Sequence, residues 1–315
     1  MRAVARTQVL PLQPPATSRG TAPAAYDEVG DKYLAYADGD ARQIYAFDGH
    51  CSFADRSLWS VLDAKLVALR ASGRQSLTIL DAGCGPGTWI RRLVIRARAL
   101  GFTGIRARGF DMAETQIRRA RHLARGLQDL AGVEISFEVG DITRPLPETD
   151  GSVDLSLCLY AVLNHLKVGD LAAVMGEIGR VTSGHFVTTV RAAGSPPTIY
   201  VDGIEHARQF QQDNSADRFD VELDDGRRMT FRSRLFTAGD LREVVGTQFE
   251  IETLRGLDLF HARFARDPRW NPAWLADNHG FRDALARLEE QYASNPDFID
   301  HATHLLLVAR SPANA

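Results

Sequence analysis

Apolar residues first recur at helical spacing at Leu58, Val61, Leu62, Leu66 and Leu69, with Lys65 among them, and this predicts a helix over 55–71. A short apolar run over 77–80 reads as a strand; it stops at Asp81 and enters the turn Gly83-Cys84-Gly85-Pro86-Gly87. From 88 to 100 apolar positions alternate with arginines, as on an amphipathic helix. The alternation then repeats. A strand over 105–110 ends at Asp111, a basic-faced helix covers 113–130, and a strand over 134–139 stops before Asp141. A buried strand over 153–159, a helix over 170–181 and a strand over 185–191 follow. Strands alternating with helices predict a parallel sheet with crossover helices.

The regularity breaks after Ala192. Ser195-Pro196-Pro197 marks a turn or linker. Apolar stretches at 219–223 and 228–236 flank Asp224-Asp225-Gly226, which predicts a hairpin. A helix over 238–245 and strands over 249–254 and 304–309 complete the pattern, with a helical stretch at 272–293 between Pro268 and Pro296. The expected fold is α/β: a doubly wound, mostly parallel sheet of seven strands, the last antiparallel, with α+β insertions forming a cap.

Net charge changes the picture only by exclusion. It is −3 over 315 residues, with acids and bases interspersed, so the basic field of a nucleic-acid binder is missing and no nucleic-acid partner is expected. The three cysteines, Cys51, Cys84 and Cys158, show no ligand or disulfide spacing, so no metal is expected and a reducing cytoplasm fits. No apolar run approaches the roughly 20 residues of a membrane span. Residues 1–25, rich in Pro, Ala, Arg and Thr and without an acid, read as a disordered leader or a transit peptide, with order beginning near Tyr26.

The chemistry concentrates at strand ends. A glycine-rich turn between strand and helix lets a ligand approach the backbone without meeting a Cβ, and the helix behind it offers unsatisfied N–H groups. Asp111, at the end of the second strand, suits a ribose diol. Asp141, after the third, suits an adenine amino group. Either acid alone reads as a turn residue or a helix cap. At three successive strand ends, the turn and the two acids define a crevice at the carboxyl edge of the sheet, where doubly wound folds bind ligands.

Asp81 to Gly87 resembles motif I of class I S-adenosylmethionine (SAM)-dependent methyltransferases. Phe110-Asp111-Met112 and Gly140-Asp141-Ile142 resemble their second- and third-strand motifs, and 154–166 their fourth-strand motif and its loop. The resemblance spans about 77–191 and implies a Rossmann-like fold with SAM as cofactor and S-adenosylhomocysteine as product. It implies that Gly83, Cys84, Gly85 and Gly87 line the methionine and ribose. Asp81 would organise the loop, Asp111 hold the ribose and Met112 pack on adenine. Asp141 and Ile142 would meet the adenine edge, and the backbone at Cys158 or Leu159 the methionine ammonium. Tyr26 and Tyr33 fall where the family places an aromatic lid.

Methyl transfer asks little beyond alignment, exclusion of water and, for some acceptors, a base. Orientation alone can contribute roughly 7–11 kcal/mol. His165 and Tyr26 are the candidate bases, though His165 can equally pack its loop. Tyr160, Arg191, Tyr200 and His206 are candidate contacts to a small-molecule acceptor; Arg191 suits an acidic group if it is not simply an exposed strand-end residue. The expected domains are a leader (1–25), a helical lid (26–75), a SAM-binding core (76–193), a cap (194–236) and the rest of the core with a helical insertion (237–315), in a monomer or homodimer. Two other functions fit the same fold. A nicotinamide oxidoreductase would carry GxGxxG rather than the GxGxG found here. A non-catalytic SAM-binding protein needs nothing more than the crevice.

Overall fold

The computed structural model describes residues 44, 45, 47, 52–195, 207–223, 226, 228–261 and 279–312. Expectations for the leader, Tyr26, Tyr33, Cys51, Tyr200, His206, the Pro196-Pro197 linker and the first part of the 272–293 helix lie outside these residues.

Helix α1 (Ser52–Ala71) forms where the four-residue spacing placed it, with Leu58, Leu62 and Leu66 fully buried along one stripe. Strand β1 (Ser76–Ala82) runs through the glycine turn into α2 (Thr88–Ala99), and β2 (Gly104–Asp111) follows. The single helix expected over 113–130 is broken. Helix α3 (Glu114–Leu123) stops at Ala124, whose N–H bonds back to Ala120 and His122, and a one-turn α4 (Arg125–Gln128) follows. Gly126 disfavours continuation, and the Gln128 side chain bonds the Ile135 carbonyl instead.

The chain continues with β3 (Val133–Val139), β4 (Val153–Cys158), α5 (Val168–Val181) and β5 (Thr182–Arg191). Three cap strands come next: β6 (Ala207–Asp213), β7 (Arg218–Leu223) and β8 (Arg228–Arg232). They make an antiparallel sheet of their own in the order β6-β7-β8. The β7–β8 hairpin was expected; β6 was not, and β8 ends at Arg232 rather than at Phe236. Helix α6 (Ala238–Gly246), β9 (Glu250–Leu257), α7 (His279–Tyr292) and β10 (His304–Arg310) close the chain.

The main sheet has the order β3-β2-β1-β4-β5-β10-β9. Pairs β1–β2, β2–β3, β1–β4 and β4–β5 are parallel, and β10 is antiparallel to both β5 and β9. The order reverses between β1 and β4, and this switch point opens a crevice at the carboxyl edge. One face of the sheet packs on α1, α2 and α3 through Leu58, Ile90 and Ile117. The other packs on α5 and α6 through Met175 and Leu241. No helix among the described residues is long and apolar enough to cross a membrane.

Candidate functional site

The glycine turn leaves β1 with Gly83, Gly85 and Gly87 all at positive φ (77°, 51° and 76°). Two of these positions have no room for a side chain. A Cβ on Gly87 would lie 2.6 Å from Phe137 Cε1, and one on Gly83 would drive into Val162. Both the left-handed backbone and the space therefore require glycine. Cys84 is buried beneath the turn, where burial raises its thiol pKa.

Asp81 lies at the root of the turn, 1% exposed, and its Oδ1 has no hydrogen-bond partner. Burial, with the charge of Asp111 adding to it, pushes the carboxyl up to about 7. A buried oxygen without a donor is rare in folded proteins. Asp111, at the end of β2, braces the turn: Oδ2 accepts the Gly85 N–H at 3.0 Å, and Oδ1 accepts the Ala113 N–H at 2.9 Å. A carboxylate has lone-pair sites beyond these two bonds. Beside it Met112 is exposed. Asp141 closes a local turn through Oδ1, which accepts the Thr143 N–H and hydroxyl, while Ile142 is buried. These positions suit SAM: a cradle without Cβ atoms, an unpaired buried carboxylate and an acid at the second strand end.

At the end of β4, Cys158 and Leu159 are buried, and the Cys158 carbonyl accepts the Thr188 hydroxyl at 2.7 Å. Tyr160 and Ala161 then adopt left-handed backbone (φ 52° and 71°). Two adjacent non-glycine residues in that region carry strain, and β5 holds them there: Thr189 accepts from Tyr160 N through Oγ1 at 2.7 Å and from Ala161 N through its carbonyl at 3.2 Å. The Tyr160 ring lies over Trp89 of α2, with centroids 6.2 Å apart, and its hydroxyl donates to Asp55 of α1. The tyrosine thus borders both the glycine turn and the N-terminal helix.

Two further candidates meet the cap. Arg191 is not an exposed strand-end arginine: it is 8% exposed, bonded to the Ser195 hydroxyl at 3.3 Å and stacked on cap residue Phe219. His165, expected as a general base, is engaged by the cap. Its Nδ1 lies 2.7 Å from the Arg232 carbonyl, so that nitrogen carries the proton, and the ring sits beside Phe231. Burial lowers its pKa, and Arg191 adds to the effect.

Sequence reading missed Asn164. Fully buried, it accepts the Arg191 N–H at 3.0 Å, donates to the Arg191 carbonyl at 3.1 Å and also donates to the Arg234 carbonyl. Its own carbonyl accepts the Arg234 N–H at 2.8 Å. The cap's return strand is thereby fastened to the carboxyl edge. An asparagine between apolar residues in a strand-end loop was its only sequence signal. A separate groove of about 550 Å³, lined by Thr78, Arg106, Arg108, Glu134 and Glu148, lies toward the amino ends of β1 and β3 and includes none of these groups.

Part of the chain, and its fold, resemble known proteins. Residues 79–184 match the family model described as a methyltransferase domain. No curated protein matches the chain. Among solved structures, a protein of Pyrococcus horikoshii OT3 superposes with a TM-score of 0.50 at 17% identity, covering 85% of this chain and 95% of that one. A SAM-dependent methyltransferase of Methanosarcina mazei gives 0.48 at 18% identity, over 76% of this chain and 93% of that one. Magnesium protoporphyrin IX methyltransferase of Synechocystis, solved with S-adenosylhomocysteine, gives 0.46 at 16% identity, over 91% and 98%.

Proposed function

We propose that this class I SAM-dependent methyltransferase methylates a small molecule held between the carboxyl edge of its sheet and the β6–β8 cap. The observation that carries the reading is the glycine turn closed to any side chain above the unpaired, buried Asp81. Gly83, Cys84, Gly85 and Gly87 would hold the methionine and ribose, Asp111 the ribose diol, and Met112, Asp141 and Ile142 the adenine. The backbone at Cys158 and Leu159 would meet the methionine ammonium. The sulfonium supplies an already activated methyl group.

The chain's own part is to orient the acceptor and keep water out. Tyr160 and Arg191 would face that task from the ends of β4 and β5, and the cap reaches Arg191 through Phe219. His165 and Asn164 tie the cap down, so that the pocket closes where the methyl group emerges. The proposed division keeps a lid at 26–75, the core at 76–193, the cap at 194–236 and the remaining core at 237–315. The buried, unpaired Cys84 and Cys158 suit a reducing compartment such as the cytoplasm.

The experiment is methyl transfer from deuteromethyl-labelled SAM across a library of small metabolites, read by mass spectrometry. A labelled small-molecule product is expected. Label appearing only on added protein or nucleic acid would overturn the small-molecule reading.

A further inference from the structure

The crevice at the carboxyl edge has two lips. One is the glycine turn after β1; the other is the Tyr160–Ala161 turn after β4, the strand next to β1 in the sheet. The lips meet at two places. A side chain on Gly83 would drive into Val162, so the Val162 methyls lie against that glycine. The Tyr160 ring lies over Trp89, in the first turn of the helix that the glycine turn enters. The gap between the lips is therefore set by how the chain turns at 160–161.

That turn is not one its own residues favour. Positive φ at two successive central residues selects Gly, Asn or Asp, and here a tyrosine and an alanine occupy them. The regular ladder between β4 and β5 ends where Cys158 pairs with Thr188. The next residue of β5, Thr189, continues the hold with its side chain as well as its backbone. Its hydroxyl oxygen accepts the Tyr160 N–H at 2.7 Å, and its carbonyl accepts the Ala161 N–H at 3.2 Å.

Thr189 is well fixed for this task. It is 1% exposed, and its strand lies between β4 and β10, where it pairs with Leu306. A β-branched side chain is stiff at χ1, so the accepting oxygen is held in place. Trp89 and Asp55 also brace Tyr160, but through its ring and its hydroxyl; Thr189 holds the backbone. The effect reaches the cap too. The Ala161 carbonyl accepts the Asn164 N–H at 3.0 Å, so the same turn places the asparagine that fastens the cap.

We propose that Thr189 is a positioning residue for the methyl donor: by holding Tyr160 and Ala161 in left-handed backbone, it sets the width of the crevice between the two lips. It acts through the 160–161 backbone and not by contact with the donor. This rests on the methyltransferase reading above.

Calorimetric titration of the full chain with S-adenosylhomocysteine tests this. Thr189→Val keeps the shape and removes the acceptor of the Tyr160 N–H; affinity should fall roughly tenfold or more, as one buried donor left unsatisfied provides. Thr189→Ala removes the same acceptor without the bulk and should repeat the loss. Thr189→Ser restores the acceptor and should bind as the parent does. Thr182→Val is the control for stability. It removes a buried hydroxyl that bonds the Ile178 carbonyl at 2.6 Å at the opposite end of the same strand. It should lower the thermal midpoint as Thr189→Val does, yet leave S-adenosylhomocysteine affinity unchanged. Hydrogen exchange of the unliganded protein should quicken over 159–165 in Thr189→Val and not in Thr182→Val. Parent-like affinity in Thr189→Val or Thr189→Ala, no rescue by Thr189→Ser, an equal loss in Thr182→Val, or unchanged exchange over 159–165 overturns the proposal. Failure of the parent to bind S-adenosylhomocysteine would instead strike the methyltransferase reading itself.

Discussion

The Gly85 backbone N–H donates to Asp111 Oδ2 at 3.0 Å, and this one bond ties the turn after β1 to the end of β2. The acid expected to hold a ribose also holds the loop that cradles the rest of the ligand. Asp111→Ala therefore leaves two backbone N–H donors without their acceptor at once. The expected outcome is a loss of about 1–3 kcal/mol in unfolding free energy, together with at least a roughly tenfold loss in S-adenosylhomocysteine affinity, a step worth about 1.4 kcal/mol. Denaturant titration and calorimetry check the pair. Lost affinity with unchanged stability would show that the loop does not depend on Asp111.

Asp81 gives a pH signature. Its carboxyl ionises near 3.8 when unfolded and near 7 in the fold. Between those values the folded state holds the extra proton, so stability falls as pH rises through this window and is level above it. Asp81→Asn removes the dependence. It should be more stable than the parent at pH 8, by up to about 4 kcal/mol, and no more stable near pH 4. It should also bind S-adenosylhomocysteine more weakly. Thermal melts across that range check the sign.

Gly87→Ala places a Cβ against Phe137 in backbone at φ 76°. The expected cost is about 1–3 kcal/mol of stability, with loss of cofactor binding. Gly126→Ala, where a Cβ meets nothing, serves as the control: it should leave cofactor binding unchanged and raise stability by about 0.4–1 kcal/mol. Calorimetry on the two variants distinguishes a required turn from general sensitivity to alanine.

Asn164→Ala leaves the Arg234 carbonyl and the Arg191 backbone without their side-chain partner. Unsatisfied buried groups cost about 1–3 kcal/mol. The cost should appear locally, as faster proteolysis within 207–236 while cleavage of the core stays slow. Uniform acceleration along the chain would show that Asn164 supports the whole fold rather than the cap.

The motif-bearing half of the site was legible because local chain chemistry writes it. The turn 83–87 needs glycine wherever it occurs, and Asp111 and Asp141 stand at strand ends that periodicity alone locates. The contacts between the cap and the sheet were not legible. Asn164, Arg191, Phe219 and Arg234 lie apart in sequence and meet only once the cap folds back on the carboxyl edge. His165 stands in the strand-end loop where the sequence put it, and its bond to the Arg232 carbonyl of the cap is a long-range contact that the sequence does not show. Strand β6 was missed because its run, Ala207–Asp213, carries one arginine and three glutamines where a strand is read from apolar alternation.

The most direct measurement is a crystal structure of the chain grown with S-adenosylhomocysteine. The account predicts the homocysteine portion over Gly83–Gly87, the ribose hydroxyls on Asp111, the adenine beside Met112 and the sulfur facing Tyr160. A ligand bound elsewhere on the chain, or one that leaves Asp81 and Asp111 untouched, would contradict it.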